Sequence, residues 1–67
     1  MNEDVLNMSV RKFLKKVGVT AQREIEEAVR AAAASGTLKR GAMPAKATFT
    51  LGALNLTFDV DGEIEAG

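Results

Sequence analysis

Cysteine, histidine, tryptophan and tyrosine are all absent from this chain of 67 residues, which has one proline and three phenylalanines. Without cysteine no disulfide can brace the fold, and without cysteine or histidine we expect no structural zinc site. The same absences remove the usual nucleophile and base pairs of hydrolases. A short chain that lacks these supports must depend on efficient packing or on self-association.

No apolar run is long enough to span a bilayer and no secretory signal is recognisable, so we expect a cytoplasmic protein without a membrane span. The remaining acid–base groups are carboxylates, lysines and the termini. Tuning these groups toward neutral pH requires burial, which a domain of this size supplies poorly. We therefore expect no enzymatic activity, no catalytic residues, no cofactor, no metal site and no small-molecule substrate.

The chain is expected to form a single domain, residues 1–67, of the α+β class, with two amphipathic helices packed on a C-terminal antiparallel hairpin. Asn2 is a suitable N-cap for a first helix over about residues 3–17, and Gly18 is suited to end it. Five of its apolar residues fall within an arc of about 100° on a helical wheel, which predicts a core-facing stripe. They are Leu6, Val10, Phe13, Leu14 and Val17.

A second helix is expected over about residues 20–35, with Thr20 as its N-cap and Gly36 just after its end. Its apolar stripe is narrow and consists mostly of small side chains, so the first helix could approach it closely. The stripe contains Ala21, Ile25, Ala28, Val29 and Ala32.

From Ala45 the apolar period changes to two, which predicts strands over about residues 45–51 and 54–60. Gly52-Ala53 between them fits a two-residue type II′ turn. The resulting register pairs apolar residues on one face, namely Leu51 with Leu54, Phe49 with Leu56, Ala47 with Phe58 and Ala45 with Val60.

Ile64 keeps the alternation of the second strand, so that strand either continues through Gly62 to about residue 64 or ends in a bulge or turn at Asp61-Gly62. A two-stranded sheet is marginal by itself and must pack on the helices or gain a strand from another molecule. A homodimer formed through a sheet edge is therefore one open alternative.

Charge is unevenly distributed along a chain whose net charge is zero. Residues 1–47 hold nine basic and five acidic side chains, whereas residues 48–67 hold four acidic and no basic ones. The halves could simply attract each other, or the basic residues could bind nucleic acid. The candidate nucleic-acid contacts are Arg11, Lys12, Lys15, Lys16, Lys39 and Arg40.

Two local patterns favour a structural interpretation over a functional one. The two helices and the hairpin resemble a helix-turn-helix with a wing, but three glutamates near the start of the second helix would repel DNA. Residues 59–65 resemble the middle of a calcium-binding loop, but the bidentate glutamate position would lie beyond Gly67, so an acidic strand end and turn is the preferred interpretation.

Val5 and Met8 lie off the stripe of the first helix, which makes them candidates for a protein interface. We therefore expect a small non-enzymatic protein-interaction or assembly module, with a protein partner or self-association. The alternative is a weak nucleic-acid-binding protein that uses the basic face of the first helix.

Four segments carry a family resemblance: residues 7–15, residues 17–26, Pro44-Ala45-Lys46 and residues 61–64. Together they resemble a bacterial family of short uncharacterised proteins, domain-of-unknown-function family 6494. The resemblance spans nearly the whole chain and implies a bacterial cytoplasmic protein, but it implies no catalytic residue because the family has no assigned activity.

Overall fold

A computed structural model describes all residues, 1–67, as one long helix followed by one β-hairpin. Helix α1 comprises Glu3–Ser35, and strands β1 and β2 comprise Met43–Leu51 and Leu56–Ile64. A short 3₁₀ turn, Gly52–Leu54, lies between the strands. The α+β class is confirmed, but the prediction of two helices is wrong.

Helix α1 is continuous because Gly18 remains helical, without the positive φ that a helix-ending glycine adopts. A glycine inside a helix costs only roughly 0.5–1 kcal/mol relative to alanine. Two separate helices would add two helix ends, with about four N–H and four C=O groups that have no intrahelical partner. The uninterrupted helix avoids this cost, so Thr20 is an interior residue and not an N-cap.

Both predicted outer ends of the helical region are confirmed. The Asn2 Oδ1 atom accepts hydrogen bonds from the backbone N–H groups of Asp4 at 3.0 Å and Val5 at 3.2 Å. At the other end Gly36 has a left-handed backbone with φ of 75°, and its N–H donates to the Ala33 carbonyl at 3.3 Å. These contacts satisfy backbone groups that a helix terminus otherwise leaves unpaired.

The predicted two-residue turn is wrong because the strands are joined by four residues. After the 3₁₀ turn, Asn55 has a left-handed backbone with φ of 51°, and its N–H donates to the Gly52 carbonyl at 3.1 Å. Asparagine tolerates this conformation better than most residues. The longer connection moves the start of the second strand from residue 54 to Leu56.

The register therefore differs from the predicted one by two residues. The observed partners include Leu51 with Leu56, Phe49 with Phe58 and Ala47 with Val60. A shift by an even number of residues keeps every side chain on its face of the sheet. The predicted apolar face of the hairpin is thus correct although the predicted pairs are not.

Strand β2 continues through its glycine. Gly62 pairs with Ala45, Asp61 pairs with Lys46, and the last pair joins Met43 and Ile64. Of the two alternatives for this segment, continuation to residue 64 is the observed one.

The molecule is elongated, with extents of 51 × 20 × 17 Å and a radius of gyration of 15.8 Å. A compact chain of this length would have a radius of gyration of about 11 Å. None of the 67 residues is fully buried. The helix and hairpin therefore touch without enclosing a core.

Candidate protein-interaction surface

Three phenylalanine rings connect the helix to both strands. The Phe13 ring on α1 meets the Phe49 ring on β1 edge-on, with centroids 6.4 Å apart. Phe49 in turn stacks on Phe58 of β2 at 5.2 Å. Aromatic pairs in such geometries contribute about 0.5–1.5 kcal/mol beyond the area they bury. The three rings are the centre of the contact between the two parts of the molecule.

The hairpin also approaches the C-terminal half of the helix. Ile25 of α1 and three inner residues of the hairpin, Ala45, Ala47 and Val60, line a shallow groove between the two parts. On this side several apolar residues are half-buried, and most of them are small. They are Val17, Ala21, Val29, Ala32, Met43 and Ala45.

Larger apolar side chains nearby remain uncovered. On the helix, Leu6, Val10 and Leu14 follow one another at intervals of four residues, and we call them the helical patch. On β2, Leu56, Phe58 and Val60 alternate on the face that carries the Phe49 pairing, and we call them the strand patch. All six side chains are between 43% and 52% exposed. The two patches, together with Phe13 and Phe49, form the apolar face.

The total accessible surface measures how incomplete this packing is. One chain exposes 6094 Å². A compact folded protein of 7.1 kDa would expose about 4,100 Å², so the excess is about 2,000 Å². This excess is total surface, apolar and polar together, and it reflects the elongated shape of the chain as well as the uncovered apolar side chains.

Val5 and Met8, the interface residues predicted from the sequence, are 63% and 71% exposed. Helical geometry directs them away from the stripe that contains the helical patch. The structure thus does not join them to the apolar face, and their role stays a prediction.

The predicted nucleic-acid contacts form two groups. Arg11, Lys12, Lys15 and Lys16 lie within six residues of one another in the first half of α1, and we call them the basic cluster. Lys39 and Arg40 follow the other end of the helix, which lies about 30 Å from Lys16 by helical rise. The cluster has no ion-pair partner, since the single ion pair in the chain joins Arg30 and Glu26 at 3.1 Å.

That ion pair belongs to a short row on the surface of the helix. The Gln22 side-chain amide donates to Glu26 at 2.9 Å, and Arg30 donates to the other carboxylate oxygen. The hydrogen bond from Gln22, followed by that from Arg30, lowers the pKa of the Glu26 carboxyl group below its ordinary value. These contacts support the helix and need no functional explanation, because they join residues one turn apart on its surface.

The family assignment rests on a match over the whole length of the chain. The model of a protein family described as a family of unknown function, DUF6494, matches residues 1–67. The chain belongs to this family. No curated protein and no solved structure matches it. Membership confirms the resemblance seen in the sequence and assigns no activity to any residue.

Two patterns noted in the sequence are parts of regular secondary structure. The segment like a helix-turn-helix is an uninterrupted helix, so that hypothesis is wrong. The acidic segment that resembles a calcium loop lies in β2, where the Thr48 hydroxyl donates to the Asp59 carboxylate at 2.7 Å. No three acidic side chains come together as a metal site would require.

No helix combines the length and apolar character needed to cross a bilayer.

Sequence reasoning found the residues of the apolar face but placed them in a closed core. The sign that could have corrected this was the continuity of the stripe across Gly18. Spacings of three and four residues lead without a break from the first predicted stripe into the second. One helix and one hairpin make only two thin layers, which cannot cover a stripe of that length.

Proposed function

We propose that this protein is a non-enzymatic protein-interaction or assembly module whose binding surface is the apolar face. The observation that carries the proposal is the absence of any fully buried residue in a chain rich in exposed large apolar side chains. A folded chain normally keeps such side chains from water, because each costs roughly 1.5–3 kcal/mol when left exposed. A protein partner on this face would remove much of that cost.

The proposal also explains why the exposed residues are grouped. Single apolar residues on a surface are normal, whereas a continuous group marks a contact. Here Phe13, the neighbour of Leu14 in the sequence, contacts Phe49, and Phe49 stacks on Phe58 of the strand patch. Aromatic residues at the centre of a surface are typical anchors of protein interfaces.

Formaldehyde cross-linking in cells, followed by mass spectrometry of tagged chains, tests this proposal. We expect Leu14→Glu, in the helical patch, to reduce the cross-linked protein at least about tenfold. Met8→Glu places the same charge on the same helix away from the patch and should leave most of the product. A chain that cross-links to no protein, itself included, would refute the proposal. Loss with Met8→Glu alone would move the interface to the predicted Val5 and Met8 side.

A weak nucleic-acid-binding function is a second candidate, favoured by the unpaired basic cluster. It predicts binding that weakens with salt, since lysine and arginine release counterions from phosphates. Lys12→Glu or Lys16→Glu should reduce binding, whereas Lys46→Glu makes the same charge change on the hairpin and should not. Absence of binding to mixed RNA or DNA at low salt would end this candidate.

A bacterial source and a cytoplasmic location remain part of the proposal. Cell fractionation with an antibody against the natural protein tests the location directly.

A further inference from the structure

The excess accessible surface of the chain is comparable in size to the surface that a permanent dimer buries. Each chain exposes about 2,000 Å² more than a compact protein of its mass. Permanent protein complexes bury roughly 2,000–5,000 Å² in total, or about 1,000–2,500 Å² on each partner. Because no residue is buried in the single chain, the occupant of the surface must be present whenever the fold is. Another copy of the same chain meets that requirement.

The two patches also match each other in length and spacing. Neighbouring residues of the helical patch are four positions apart, which is about 6 Å along a helix. Neighbouring residues of the strand patch are two positions apart, which is about 6.6 Å along a strand. Three side chains of one row can therefore interleave with three of the other. The contact of Phe13 with Phe49 already shows a helix residue packed on this face of the hairpin.

A two-fold dimer uses such a pair of patches twice. In a two-fold interface, if residue i of one protomer contacts residue j of the other, then j of the first contacts i of the second. With one helical patch and one strand patch on each chain, two identical contacts form and every patch is covered. Electrostatics do not oppose the association, since the net charge of the chain is zero.

We infer that a second copy of this chain covers the apolar face, with the helical patch of each protomer packed on the strand patch of its partner. The inference rests on the proposed function and names the partner for it. The Phe13 and Phe49 rings then lie next to the Phe58 ring of the strand patch, at the centre of a core that only the dimer completes.

Introduced cysteines test the arrangement without background, because the natural chain has none. One chain carries Val10→Cys in the helical patch and the other, labelled with heavy nitrogen, carries Val60→Cys in the strand patch. The two are mixed, unfolded, refolded together and treated with a flexible bis-maleimide. We expect mixed-mass cross-linked pairs as the main product. Lys12→Cys mixed with Thr57→Cys, outside both patches, should give at least about tenfold less.

Solution mass is measured by light scattering over a dilution series of the wild-type protein. We expect twice the 7.1 kDa of one chain. Val60→Asp should shift the protein to monomers or unfold it, and Thr57→Asp, which adds the same charge on the other face, should not. The cysteine pairs keep the test valid if Val60→Asp does not fold.

Three results would overturn the inference. These are a folded wild-type monomer at every concentration, a dimer whose cross-links join only two helical patches, and a dimer in which the control pair reacts equally well.

In-cell cross-linking distinguishes failure of the dimer inference from failure of the proposed function. Products that contain only other identified proteins refute the second copy but not the module, whereas no protein product refutes both.

Discussion

The two halves of helix α1 differ in the size of their apolar side chains and in how well the hairpin covers them. The C-terminal half presents mostly alanines, and several of its stripe residues are half-buried beside the hairpin. The N-terminal half presents leucines, valine and phenylalanine, and these remain 44–56% exposed. Small side chains allow a close contact within one chain, whereas the large ones of the N-terminal half stay about half exposed and are the basis of the proposed interface.

The largest expected effect comes from breaking the contact between the N-terminal half of α1 and the hairpin. Phe49→Ala removes the ring that touches both Phe13 and Phe58, and should lower the free energy of unfolding by about 2–4 kcal/mol. Urea unfolding followed by circular dichroism, at one fixed protein concentration, measures it. Thr50→Ala on the outer face serves as the control and should change stability by less than about 0.5 kcal/mol. Equal effects of the two changes would show that the rings do not join the helix to the hairpin.

The start of the N-terminal half depends on its cap. Asn2→Ala removes the acceptor of two backbone hydrogen bonds and should cost about 1 kcal/mol. Amide hydrogen exchange should become faster at Asp4 and Val5. Asn7→Ala deletes the same side chain inside the helix, where alanine is favoured, and should not destabilise. If exchange at Asp4 and Val5 stays unchanged, the N-terminal half begins elsewhere.

The junction between the halves is tested by Gly18→Ala. A Cβ atom at Gly18 would meet nothing within 4 Å, and the backbone there is helical. Alanine should therefore raise the free energy of unfolding by about 0.5–1 kcal/mol. Gly36→Ala, at a φ of 75°, should lower it by about 1 kcal/mol. A loss at Gly18 as large as that at Gly36 would mean that the helix ends at the junction, as the sequence suggested.

The smallest effect is expected from pH in the C-terminal half. The pKa of Glu26 is lowered in the folded chain, so its ionised form adds stability above the ordinary pKa of 4.5, and that contribution is lost as pH falls below it. Thermal unfolding should show a larger decrease in acid for the wild type than for Glu26→Gln. Glu27→Gln removes a neighbouring carboxylate without side-chain hydrogen bonds and should follow the wild type. If all three proteins lose thermal stability equally in acid, the lowered pKa of Glu26 does not contribute to stability.

Local signals in the sequence predicted those features that depend on neighbouring residues. Asn2 and Gly36 delimit the helical region, and the alternation after Ala45 identifies the inner face of the hairpin. Gly18 gives an ambiguous signal, because a glycine can either end a helix with a left-handed backbone or lie inside one. Which of these it does depends on whether the apolar stripe continues beyond it. Asn55 was overlooked as a turn residue because Gly52-Ala53 offered a shorter turn of the same parity.

The candidate site was harder to predict for a physical reason. Hydrophobic periodicity shows which face of an element avoids water but not which surface covers it. The residues of the helical and strand patches have the pattern of a core, and a core shared between molecules has the same pattern. The family membership over residues 1–67 adds no information about a partner.

The phenylalanine cluster has a spectroscopic consequence. Since the chain has no tryptophan, tyrosine or histidine, every aromatic ring proton belongs to Phe13, Phe49 or Phe58. The stacked and edge-on rings shift each other's resonances through their ring currents, so a one-dimensional proton spectrum shows the state of this surface without isotope labelling. Dispersed signals indicate assembled rings, and collapse to random-coil positions signals their separation. The protein therefore carries its own reporter at the centre of the proposed interface.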